Sequence, residues 1–148
     1  MTRPSPPALA DDRIELRIPD DVVIPPDGPP VYLFAIHPRG GDLELGRILL
    51  RLDRGDPGLV AYAGHIGFEV AAAHRGHRHA LHATRLLRPL ALGHGFTELW
   101  ISTTPDNAAA RRTLELLGAQ SIDTVAIPPH SDMQKLGITI VRRYRWTL

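Results

Sequence analysis

Val70-Ala-Ala-Ala-His74-Arg75-Gly76-His77-Arg78-His79-Ala80 is the stretch on which the fold of this chain turns. It follows a short β-rich run, His65–Val70 (HIGFEV), and leads into His79–Gly93, where Leu81, Thr84, Leu87, Leu90 and Ala91 recur at helical spacing on one face. A helix start presents unpaired backbone N–H groups and the positive end of the macrodipole. Such a start binds anions, phosphate above all. Gly76 would let the backbone approach a ligand closely, and Arg75 and Arg78 would add charge-assisted hydrogen bonds. On its own the stretch also fits a basic, solvated entry to a helix, the commoner case, and it identifies no ligand.

Working outward, the elements alternate in type. Upstream, Ile14–Ile18 alternates like a strand with one buried face, and Pro19–Pro30 is too rich in proline for a regular helix. Val31–His37 and Leu43–Asp53 read as a hairpin around Gly40-Gly41, with Gly46 marking a bulge, and Asp53–Gly58 is a further turn. Downstream, Pro89 predicts a kink or an early end to the first helix, and Gly93 and Gly95 are stop signals. Thr97–Ser102 is a strand. Asp106 or Asn107 caps a second helix, Ala108–Leu117, which Gly118 closes. Ser121–Ile127 and Ile138–Thr147 are two final strands joined by a proline-rich loop containing His130–Asp132. Residues 1–12 read as a flexible leader and 13–148 as one domain. The order predicts an α/β fold of the α+β type: a mixed, mostly antiparallel twisted sheet with one β-α-β unit, flanked by helices.

Composition narrows the function. The chain has no cysteine, which removes disulfides, thiolate metal sites and cysteine nucleophiles. Its net charge of +1 is a poor footprint for a nucleic-acid binder, and Lys135 is its single lysine. No apolar run is long enough to span a membrane, and Met1–Asp12 lacks an apolar signal core, so a cytoplasmic protein without membrane or nucleic-acid partners is expected. His74, His77, His79 and His82 raise a rival reading as a histidine-rich metal-binding module. No carboxylate lies within that cluster, and no metal is expected.

The segment His74–Ala80 resembles the acyl-CoA loop of the GNAT superfamily of N-acetyltransferases, Arg/Gln-x-x-Gly-x-Gly/Ala, with Arg75 and Ala80 in its first and last places. Pro105-Asp106-Asn107 through Arg111, then Leu116-Leu117-Gly118-Ala119, resembles the later D-N-x-x-A/S-R … L-G-F/A segment of the same family. The likeness runs from about Pro30 to the C-terminus. It extends to short bacterial GNAT proteins through Gly64–Val70, His74–His77, Thr104–Asn107 and Tyr144–Trp146. Two departures stand out. Pro19–Pro30 replaces helices that shape the substrate site in many relatives. Arg78 occupies the place of the loop's inner glycine, where it would either add a phosphate contact or crowd the site.

The resemblance implies a GNAT fold and acetyl transfer from acetyl-CoA, the co-substrate, to a primary amine on a small molecule or a protein. It implies that backbone groups of Phe68, Glu69 and Val70 pair with pantetheine, one N–H facing the thioester oxygen. Arg75, Gly76, His77, Arg78, His79 and Ala80 would hold the pyrophosphate, and Asn107 would contact the pantetheine arm. Glu69 is the first candidate base and His65 the next. Leu114 stands where many relatives have a tyrosine general acid. Either the acid is elsewhere, with Tyr62 and Tyr144 as candidates, or the thiolate leaves without one, or turnover is weak. A CoA-binding protein that has lost catalysis is the alternative. A homodimer is a further expectation from the relatives, and Phe96, Trp100 and Trp146 read as packing residues.

Overall fold

The fold is described from a computed structural model, which covers residues 9–19, 31–53, 60–129 and 131–148. Eight strands form one sheet: β1 (Leu9–Ala10), β2 (Ile14–Arg17), β3 (Val31–Pro38), β4 (Gly46–Arg51), β5 (Ile66–Val70), β6 (Glu98–Thr103), β7 (Gln120–Ala126) and β8 (Ile140–Thr147). Their spatial order is β1-β2-β3-β4-β5-β6-β8-β7. Every neighbouring pair is antiparallel except β5 and β6, which are parallel and joined by α2 (His79–Gly93). Three other α-helices lie among the described residues: α1 (Val60–Ala63), α3 (Ala108–Leu117) and α4 (Asp132–Lys135). The expected mixed, mostly antiparallel sheet with one β-α-β unit is therefore what the chain forms.

One face of the sheet carries the core. Strand alternation lines up Ile14, Leu16, Tyr32, Phe34, Ile36, Ile48, Leu50 and Ile66, all buried. On α2 the helical spacing presents Leu81, Thr84, Leu87, Leu90 and Ala91, each at most 5% exposed. The expected kink or early end at Pro89 does not occur, since α2 continues through Gly93. Pro89 lies on the exposed side, where the carbonyl it leaves unpaired can meet water. An interior proline costs about 3 kcal/mol. Each large apolar side chain fully buried returns about 1.5–3 kcal/mol, so the buried face outweighs it.

Other expectations shift in detail. The leader reading of residues 1–12 gives way at Leu9, which is 6% exposed and pairs through β1 with Leu16. The Asp11 carboxylate turns the chain into β2 by accepting from the N–H groups of Arg13 and Ile14, both at 2.8 Å. β4 begins only at Gly46, and no bulge lies there. Gly46 sits in regular register between Ile36 and Val70. A Cβ at that position would come within 2.8 Å of Val70 Cα, so the glycine serves close approach of β4 and β5. The loop before β8 holds α4, capped by Ser131, whose hydroxyl accepts from Gln134 N at 3.2 Å. His130 lies outside the described residues, as does most of Pro19–Pro30. No helix among the described residues is long and apolar enough to cross a membrane.

Candidate active site

The site lies where β5 and β6 part. Their ladder has a single register position, Ile66 opposite Ile101. Just before it, His65 pins the two strands together. Its N–H donates to Trp100 O at 2.6 Å, and its Nδ1 accepts from Trp100 N at 2.9 Å. Its Nε2 lies 3.0 Å from Asp53 O and must donate, because a carbonyl only accepts. His65 is thus a neutral, Nε2-protonated ring, 5% exposed, with the edge of Phe96 against it. Burial lowers its pKa. Both ring nitrogens are bound to backbone, and this candidate base is not among the residues lining the cleft between β5, α2 and α3.

Beyond Ile66, residues Gly67–Val70 of β5 face the gap, and Val70 leads into the phosphate-loop candidate. There a 3-10 turn, Ala72–His74, is followed by Gly76 at φ +91° and Arg78 at φ +62°. Among the described residues Arg78 is the one non-glycine with positive φ. The residue standing in the family's glycine place thus keeps a glycine-like backbone, a conformation that costs a side chain about 1–2 kcal/mol. Arg78 is also the N-cap of α2, and no side chain caps that helix start. The first-turn N–H groups are left for another acceptor. Arg75 is anchored through Nε to Val70 O at 2.9 Å, which leaves its two terminal nitrogens as donors.

Facing this start is the start of α3. Asn107 caps it, its Oδ1 accepting from Ala110 N at 3.1 Å, and its amide nitrogen remains a donor. Gly118, at φ +87°, closes α3 as the sequence indicates. Between β5, α2 and α3 lies a cleft of about 420 Å³. The structure brings nine of the ten candidate cofactor residues to it: Phe68, Glu69, Val70, Arg75, Gly76, Arg78, His79, Ala80 and Asn107. The tenth, His77, lines a neighbouring cavity of about 610 Å³ together with Arg13, Pro38, Leu45, His74, Gly76, Arg78 and His79.

Of the three candidate catalytic side chains, Glu69 lines the cleft and is exposed. Tyr144 does not line it: the ring is 3% exposed and packed in the core. Leu114, at the place of the relatives' tyrosine, is also fully buried in that core. Sequence reading missed His74, Ala109, Ala110 and Thr113 as lining residues. The spacing of 110 and 113 from the Asn107 cap puts them on one helix face, a signal that was available. Among the described residues no group of three or more His, Asp or Glu side chains gathers as metal ligands would.

A mixed sheet that parts beside a parallel β-α-β unit, with an uncapped helix start facing the gap, is the architecture of an acyl-CoA-dependent acyltransferase. The model of the acetyltransferase (GNAT) domain matches residues 1–120, and the chain belongs to this family. Solved structures agree in fold. An acetyltransferase from Agrobacterium tumefaciens is 17% identical, with TM-score 0.65 over 100% of this chain and 98% of that one. A GNAT-family protein from Chromobacterium violaceum is 15% identical, with TM-score 0.68 over 99% and 96%. The microcin C7 self-immunity acetyltransferase MccE, solved with acetyl-CoA and AMP, is 14% identical, with TM-score 0.60 over 80% of this chain. The chain spans only 61% of MccE's length. No curated protein sequence matches the chain.

Proposed function

We propose that the protein transfers an acetyl group from acetyl-CoA to a primary amine by direct attack on the thioester. The observation that carries this reading is the parting of β5 from β6 next to an uncapped helix start, with one continuous cleft between them. The N–H groups of the first turn of α2, with Arg75 and Arg78, would take the pyrophosphate. The free edge of β5 would pair with the pantetheine amides, and the Asn107 amide nitrogen would donate to the same arm. A β5 N–H facing the thioester oxygen would stabilise the charge that develops there. The amine nitrogen bonds to the carbonyl carbon, the C–S bond breaks, and CoA leaves as thiolate. Glu69, in the cleft and open to water, would take the ammonium proton before attack, directly or through one water.

Supply of a proton to the thiolate has no tyrosine at position 114 to do it. This favours a second reading, a CoA-binding protein with weak turnover. Thermal melting with acetyl-CoA and a free-thiol assay over small amines and peptide N-termini test both. Stabilisation by acetyl-CoA with amine-dependent thiol release is expected. Stabilisation without release across the panel would support the second reading. No binding at millimolar acetyl-CoA would defeat both.

A further inference from the structure

The loop holds more titratable nitrogen than a phosphate site needs. His74 and His79 lie on the boundary between the two cavities, lining both, and His77 lines the larger one. The rings of His77 and His79 are 5.6 Å apart. His82, one turn further along α2, lies 3.5 Å from the Asp11 carboxylate. The remaining charged groups on these cavities are Arg75, Arg78, Arg13 and, on β5, Glu69. From α3 the lining residues are Asn107, Ala109, Ala110 and Thr113, all uncharged.

We infer that His74, His77 and His79 form a proton-coupled phosphate clamp, the cluster taking up protons from solvent as the phosphates of acetyl-CoA enter the two cavities. The inference rests on the acetyl-CoA reading above and deepens it. A phosphomonoester carries about −1.5 to −2 charges near neutrality, and a pyrophosphate diester adds about two more. Against them stand Arg75 and Arg78 on the cleft, Arg13 on the larger cavity, and about half a positive charge at the start of α2. Imidazoles are the groups able to supply the balance by binding protons. In the free protein, partial burial and then the neighbouring His77, His74 and His82 lower the pKa of His79. Bound phosphate opposes each of those effects by offering a negative partner to the charged ring. Binding and protonation therefore help each other. Affinity rises as pH falls through the interval between the free and liganded pKa values, and levels off below it.

Calorimetry of acetyl-CoA binding near neutrality, in two buffers of different ionisation enthalpy, reads the coupling directly. Net proton uptake is expected, with the dissociation constant rising about tenfold between about pH 6 and about pH 8. The His74→Asn/His77→Asn/His79→Asn variant should lose the uptake and flatten the profile, and the single His79→Gln variant should lose part of it. A difference between wild type and variants removes the titration of the CoA phosphate itself. A wild-type enthalpy that does not depend on buffer, or a slope that survives in both variants, would overturn the clamp and leave the CoA site standing. No binding at any pH would instead remove the site on which the clamp depends.

Discussion

The two helices that flank the cleft begin in opposite ways. α3 starts with its own cap, Asn107 Oδ1 on Ala110 N, and runs to a glycine stop. α2 starts at an arginine held at φ +62°, with no side chain on its first-turn N–H groups. Both follow strands of one β5/β6 pair, so fold position does not explain the difference. A self-capped start is closed to ligands and contributes about 1 kcal/mol. An uncapped and strained start is less stable in the free protein and open to an anion. The arrangement gives α3 the task of scaffold and α2 the task of grip.

Arg78→Asp breaks the contrast most strongly. The new carboxylate would cap α2 and should raise the stability of the free protein by about 1 kcal/mol. It would also place a negative charge where phosphate belongs, and like charges brought together at an interface cost several kcal/mol. Acetyl-CoA affinity should fall about a hundredfold or more. Calorimetry and thermal melting would thus move in opposite directions. Unchanged affinity would mean that the start of α2 is not the phosphate site.

Asn107 gives the complementary test on α3. Asn107→Ala should lower stability by about 1 kcal/mol in denaturant titration. Asn107→Asp keeps an acceptor for Ala110 N and adds a favourable charge at a helix N-terminus, so stability should hold. The aspartate cannot donate from the position of the amide nitrogen. A KM for acetyl-CoA raised in both variants, with stability lost in only one, would separate ligand contact from capping. A smaller effect is expected for Arg78→Gly. Relief of the left-handed side chain is worth about 1–2 kcal/mol, reduced by the roughly 0.5–1 kcal/mol of added chain entropy. A modest gain in melting temperature with a several-fold loss of CoA affinity would show that the arginine earns its place through phosphate. A gain in both would show that it crowds the site.

Much of this contrast is legible in the sequence, because helix ends are written locally. Asn107 and Gly118 bracket α3, and the spacing of Leu81, Thr84, Leu87, Leu90 and Ala91 gives α2 its face. Tertiary context decided what was missed. Pro89 is tolerated because its side of α2 faces water and the buried face outweighs its cost, and Leu9 is held because a sheet edge and core receive it. Gly46 marks a close approach to Val70 that only the neighbouring strand reveals. His65 and Tyr144 have the chemistry of catalysts, yet burial and partners on distant segments give the first to the strand junction and the second to the core.

His65 also carries the finest prediction, because it fixes the junction from which both helix starts diverge. Its folded-state pKa is lowered by burial, and the Trp100 N–H donated to Nδ1 requires the neutral ring, while the bond to Asp53 O works in the opposite direction. Below the ordinary imidazole value the unfolded chain binds a proton that the folded chain refuses. Stability therefore falls as pH drops from about 6.5 toward the lowered folded value, and the loss then stops. The slope for one such group cannot exceed about 1.4 kcal/mol per pH unit. His79 is shifted in the same direction and adds to the same decline. Denaturant titrations in this interval on wild type and His79→Asn separate the two. The variant should keep the part of the slope that belongs to the junction. Saturating acetyl-CoA should abolish or reverse the His79 part in wild type, since the phosphates stabilise the charged ring, and should leave the junction's part unchanged. A slope that vanishes completely in His79→Asn would show that the junction does not resist protonation, and that something other than a neutral His65 holds β5 and β6 at their parting.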